Sequence, residues 1–307
     1  MSRCGMSDVR VVIDTNRLRS PELLAFLMLD VGHRAVLNEW VAIETYKQEQ
    51  AAGVLASYKV LSGFPDQVVV LHGTARAAQL GRTPDAMVNQ VDTLAFPFFA
   101  RAMARAHAGD GMVLAQVSER RGWALGQIAA MEAELPDSAE VLKTVRAMLT
   151  DEQWARFARG EVFSARMREL FSSMVVTVAD LLATHHPARI RLPDPPALYS
   201  EFTYRLALSL MIHLFNLARD GARTRNREQS LNDRIDVFHI TYATYFNGLM
   251  TSDARCGRTH AAVRAALRGA GAELAEDYLD TVQGRVEALV NERRAMVGKG
   301  PVATGTL

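Results

Sequence analysis

Apolar positions along this chain of 307 residues follow two rhythms. Short β-branched or aliphatic runs come at residues 9–13 (VRVVI), 35–37, 67–72 (QVVVLH) and 249–252, each too short for a helix and bounded by turn or capping residues. Between and after them the spacing is helical. Ser20-Pro21-Glu22 reads as a helix start with proline at the first helical position. A helix across 38–50 carries Glu44, a further turn or two spans 54–61, and Gly63 to Asp66 is a turn. From 74 to 230 almost everything reads as helix: 86–108 broken near Pro97, then 111–135 and 138–149. A capping-box spacing from Thr150 to Gln153 opens a helix through Ala158, and 161–184 follows with Phe163, Met167 and Phe171 at helical intervals. Residues 187–196 are the one clear linker, and 197–219 is the most apolar helix. The helix from Leu231 is stopped by Asn247-Gly248. Two more, 258–267 and 272–296, precede a tail expected to be loose.

Strands joined by helices imply parallel pairing and right-handed crossovers. The expected fold class is therefore α/β, with a small four-stranded parallel sheet in a Rossmann-like three-layer arrangement, helix-dominated overall. Residues 1–73 and 231–307 form one domain, and 74–230 is a large all-helical insertion. That insertion is expected either to pack on the sheet and partly roof its chemistry, as a lid or docking platform, or to serve as a stability element and homo-oligomer surface.

Acids stand at the ends of these strands or on the helices that follow. Asp14 closes the first run, Glu44 lies on the helix after the second, Asp236 on the helix before the fourth, and Asp253 just after it. Open α/β sheets place their chemistry at these carboxyl ends. Asp233 lies three residues before Asp236 and would share a helix face with it. Each has a plainer reading: Asp14 as a helix cap, Asn232-Asp233 as an ordinary N-cap, Glu44 as a surface acid beside Glu39 and Glu49, Asp253 as a loop start. His239 lies one turn beyond Asp236.

The pattern resembles the PIN domain, a metal-dependent ribonuclease fold. Asp14-Thr15-Asn16 is similar to its opening D-T-N signature, Glu44 to the acid after its second strand, Asp236 to its third acid, and Thr251-Ser252-Asp253 to its closing T-x-D. The likeness covers roughly 9–50 and 231–253; the long insertion departs from the family pattern, as does the lack of a fifth strand after Asp253. The resemblance implies an endoribonuclease that hydrolyses phosphodiester bonds in single-stranded or structured RNA. Alternatives are a turnover-silent RNA-binding or protein-docking module, or a DNA-directed nuclease of the same chemistry. Phosphodiester hydrolysis needs an activated water and a stabilised leaving oxygen, which clustered carboxylates provide by holding Mg²⁺ or Mn²⁺. Asp14, Asp236, Asp253 and Glu44 are the expected metal ligands, with Asp233 a further acid and Asn16 orienting Asp14. Toxin-type members of the family pair with an antitoxin, so the resemblance leaves room for a regulatory protein partner.

Composition changes this picture little. A net charge of +1 excludes a globally basic nucleic-acid coat, so binding must rest on a local patch. The sharpest such patch is Arg223, Arg225 and Arg227 with Arg234 just beyond, expected to hold substrate phosphates or else to be a solvated loop. Only Cys4 and Cys256 are present, which points to a reducing cytoplasm rather than a disulfide framework. No apolar run is long enough for a membrane span. There is no Walker loop, no G-x-G-x-x-G after a strand, no H-E-x-x-H and no cysteine spacing for zinc.

Overall fold

β-branched runs that are apolar at nearly every position need cover on both faces, which parallel strands between helical layers provide. The computed structural model describes residues 8–80, 82–159, 161 and 164–296. Cys4, Phe163 and the tail beyond residue 296 lie outside them. The first part runs β1 (Arg10–Ile13), α1 (Pro21–Leu29), β2 (Arg34–Leu37), α2 (Glu39–Tyr46), α3 (Ala51–Ser62) and β3 (Val68–Val70). The helical block follows: α4 (Thr74–Leu80), α5 (Pro84–Met87), α6 (Gln90–His107), α7 (Gly111–Ala133), α8 (Ser138–Ala147), α9 (Asp151–Ala158), α10 (Ala165–His185) and α11 (Phe202–Arg219). The chain closes with α12 (Arg227–Ala243), β4 (Leu249–Met250), α13 (Ala254–Gly269), α14 (Tyr278–Thr281) and α15 (Gln283–Met296).

The four strands form one parallel sheet in the order β3-β2-β1-β4. The expected α/β class, with a small sheet and dominant helices, is what the chain adopts. Alternate strand residues face opposite sides. Val11, Ile13, Ala35 and Val68 enter one core and Val12, Val36 and Val69 the other. The helical block supplies both cores, with Phe96, Met103 and Val113 on the first side and Val175, Leu208 and Phe215 on the second. Its helices therefore form part of the layers on both faces of the sheet, beside α1 to α3 and α15 on the first side and α12 and α13 on the second.

Three local expectations need correcting. α6 runs unbroken through Pro97. Burial of Phe96, Ala100 and Met103 along one face outweighs the backbone hydrogen bond that proline removes, a loss of about 3 kcal/mol in a helix interior. α12 begins at Arg227 rather than near Leu231, because Asn226 and Gln229 form a reciprocal capping box. Asp233 and Asp236 consequently sit inside the helix, not at its head. Residues 272–296 are not one helix but a loop, α14 and α15. Among the described residues no helix is long and apolar enough to cross a membrane.

The turn from α12 into β4 relies on Gly248, whose φ of +112° lies where side chains are strained. A Cβ there would meet Asp277 Oδ1 at 2.5 Å, and Asp277 is itself paired with the buried Arg264 at 3.1 Å. Gly248→Ala is therefore expected to lower stability by about 2 kcal/mol in urea unfolding. An unchanged midpoint would show that the turn can relax without cost.

Candidate functional site

Strand order reverses between β1 and β4, since the chain leaves β1 towards β2 and β3 on one side while β4 arrives on the other. A crevice opens at the carboxyl ends of strands at such a point. β1 ends in Asp14, whose backbone N–H donates to Met250 O at 3.0 Å and so sets the two strand tips side by side. Thr251 Oγ1 and Asn16 Nδ2 both donate to Asp14 Oδ2, each at 2.6 Å. Asn16 Oδ1 accepts from Ser252 N–H at 3.0 Å, tying the loop after β1 to the loop after β4. Asn16 thus orients Asp14, as its spacing predicts. Asp253 caps α13, with Oδ1 accepting from the Arg255 and Cys256 N–H groups at 2.7 and 2.9 Å.

β2 delivers the next part. Asn38 caps α2 by accepting from Trp40 N–H at 3.0 Å, which turns its amide nitrogen towards His239 Nδ1, 2.9 Å away. A donor facing Nδ1 leaves the proton of the neutral ring on Nε2. That nitrogen, fully buried and without a hydrogen bond among the described residues, looks at Glu44 Oε2 across 3.7 Å. Thr15 Oγ1 donates to the same Glu44 oxygen at 2.6 Å. Burial alone would raise the Glu44 carboxyl. His239, Thr15 and nearby Lys47 outweigh burial and hold the carboxyl below its ordinary value.

Asp14, Glu44 and His239 each bring one potential ligand atom within 4.8 Å of the others. Asp14, Glu44, Asp236 and Asp253 line one open cleft of about 600 Å³, together with Thr15, Asn16 and Asn232. Burial, followed by the negative charges of Asp14, Asp253 and Asp233, pushes Asp236 up to about 8, against the opposing pull of His239. Four carboxylates crowded into one cleft leave a deficit of positive charge. An all-oxygen donor set of this kind fits a hard divalent cation. The imidazole proton on the Glu44 side makes His239 a holder of Glu44 rather than a ligand.

The remaining expected site residues are placed elsewhere. Asp233 takes a two-pronged ion pair from Arg225, at 2.7 and 2.9 Å, and has His213 Nε2 at 3.5 Å. Burial would raise its carboxyl, but His213 and Arg225 overcome this and lower it. Arg227 donates to Glu132 O at 3.1 Å and Arg234 pairs with Glu134 at 3.2 Å, so both pin α12 to the end of α7. Arg223 is exposed in the connection ahead of α12. None of these arginines lines the acid cleft. Its cations are Arg19, which donates to Ser57 Oγ and Gly53 O, and Lys47, 3.7 Å from Glu44 Oε1. Sequence reasoning passed over both, although Lys47 stands one turn beyond Glu44. Asn38 was also missed, although it holds on β2 the strand-tip position that Asp14 holds on β1. No described residue of 74–230 lines the cleft, so the expected partial roof over the acids is not formed. Those helices are committed to the two faces of the sheet.

Two acids three apart on α12 should behave oppositely. Asp236 has a raised folded-state pKa, so its contribution to stability is complete below the unfolded value near 4 and is lost as pH climbs through about 8. In EDTA, Asp236→Asn should raise the melting temperature, by more at pH 8 than at pH 5. Asp233 has a lowered pKa, and its contribution is present above the unfolded value and lost as pH falls below it. Asp233→Asn should cost about 2 kcal/mol at pH 7 by leaving Arg225 short of a counter-charge. Melting curves across pH check both, and the same sign for the two variants would refute this division of the helix. No protein-family model, no curated protein and no solved structure matches this chain.

Proposed function

We propose that this chain is a PIN-like, divalent-metal-dependent nuclease acting on RNA in preference to DNA. The observation that carries the reading is the meeting of Asp14, Glu44, Asp236 and Asp253, from both ends of the sequence, in one cleft at the switch point of a parallel sheet. The choice of RNA rests on the resemblance of Asp14-Thr15-Asn16 and Thr251-Ser252-Asp253 to the family motifs.

In this reading the four carboxylates hold Mg²⁺ or Mn²⁺, which would supply an activated water and charge stabilisation for the scissile phosphate. The chain's own residues do the rest. Thr251 and Asn16 fix Asp14 in one rotamer, so a ligand oxygen needs no reorganisation to engage. Thr15 does the same for Glu44 by its hydrogen bond, with the buried His239 imidazole 3.7 Å from the same oxygen and itself held by Asn38. Asp236, crowded by its neighbours, is the acid of the four whose ionisation a bound cation would favour most. Lys47 and Arg19 stand on the acid rim, where they can take the phosphates flanking the scissile bond. Because the cleft is unroofed, an extended strand can lie across it.

The test is cleavage of a labelled single-stranded RNA in Mn²⁺ and in EDTA. Activity is expected only with metal, and Asp14→Asn or Glu44→Gln should cut the rate at least about 100-fold. Lys47→Ala should raise KM more than it lowers kcat, whereas Arg223→Ala should change neither. His239→Phe should weaken Mn²⁺ binding about ten-fold by freeing Glu44. Cleavage that persists in EDTA, or that survives Asp14→Asn, refutes the proposal. Metal binding without cleavage of RNA or DNA would favour the docking-module reading instead.

A further inference from the structure

Helical geometry gives α12 two working faces. Residues 232, 236 and 239 point to the acid side, while 230, 234, 237 and 238 point roughly the opposite way. On that second side lies a cavity of about 320 Å³, walled by Leu182, Leu206, Leu210, Leu214, Val237 and Phe238. At about 30 Å³ per water-sized group, it has room for about ten heavy atoms. Its walls are mostly aliphatic, and the polar groups are few: His213 on α11, the Arg225–Asp233 pair, Ser138, Ser230 and Arg234.

His213 is the telling one. It is 2% exposed, and neither ring nitrogen has a hydrogen-bond partner among the described residues. Nε2 stands 3.5 Å from Asp233 Oδ1, an oxygen on which Arg225 Nη2 already donates. A carboxylate gripped by arginine can only accept, so the imidazole proton belongs on Nε2. Nδ1 is then a buried lone pair with no donor among the described residues, an arrangement that costs free energy until a donor reaches it. Of the other polar groups, Arg225 and Asp233 are paired with each other, Arg234 with Glu134, and Ser138 Oγ is bonded to the Arg225 backbone.

We propose that this cavity binds a small amphiphile: an apolar body of about ten heavy atoms carrying one hydroxyl or N–H donor, which His213 Nδ1 accepts. The inference stands on the cavity and the unpaired imidazole and does not depend on what the acid cleft does. A donor-bearing chain fits better than a fatty carboxylate, which would set an acceptor against an acceptor and a second anion beside Asp233.

The probes are octan-1-ol and heptyl methyl ether, equal in heavy atoms, of which only the alcohol can donate. Calorimetric titration of the full chain should show saturable one-to-one binding of the alcohol, about five-fold tighter than the ether. His213→Phe should bring the two to equal affinity while keeping both bound. Leu210→Trp should fill the cavity and abolish both, and Leu214→Phe is the milder substitute if the first variant fails to melt cooperatively. Absence of saturable binding, equal affinity for alcohol and ether in the unaltered protein, or binding retained in the filled variants would each overturn the proposal.

Discussion

The placement of β1 between β2 and β4 is the constraint on which the rest of the structure depends. Parallel pairing on both edges brings the ends of two strands, 237 residues apart at Asp14 and Thr251, to a single 2.6 Å hydrogen bond. A carboxylate that is only 5% exposed is costly to keep unless donors meet it. Thr251 and Asn16 meet it, and in doing so they lock the loops after β1 and β4 together. The cleft follows from that lock: the helices that leave those strands must diverge to either side, and the gap between them is lined by whatever the strand tips and the inner face of α12 present.

Within that gap, charge decides what each acid can do. Asp233 and Asp236 belong to the same helix, but one has an arginine fork on it, while the other has three neighbouring acids set against the single pull of His239. The first is a structural ion pair tying α12 to the loop before it. The second is held well above the ordinary carboxyl range by burial and by those neighbours. Glu44 is a third case, because Thr15 and the buried imidazole of His239 compensate its burial directly. These arrangements separate scaffold from site more sharply than the presence of acid side chains alone.

Much of the fold was legible in the sequence because its strands are short, β-branched and separated by helical spacing. The acids were legible for the same reason, since a strand tip is a fixed place in an open sheet. What could not be read was partnership. Arg225 and Asp233 are eight apart on either side of a helix start, and nothing in their spacing says that they pair rather than serve a substrate. The start of α12 was misplaced because Asn226 and Gln229 supply an earlier cap than Asn232. Pro97 looked like a break because local propensity cannot see the apolar face that keeps α6 intact. The roof expected from 74–230 failed for a tertiary reason: both faces of a four-stranded sheet needed covering, and that block supplies much of the cover.

The most direct measurement of the central claim is a crystal structure of the protein grown with Mn²⁺, with anomalous differences recorded. Density is expected inside the cleft, within about 2.3 Å of oxygens from Asp14 and at least one of Glu44, Asp236 and Asp253. A peak bound elsewhere, or a fully ordered cleft with no anomalous signal at saturating Mn²⁺, would contradict it.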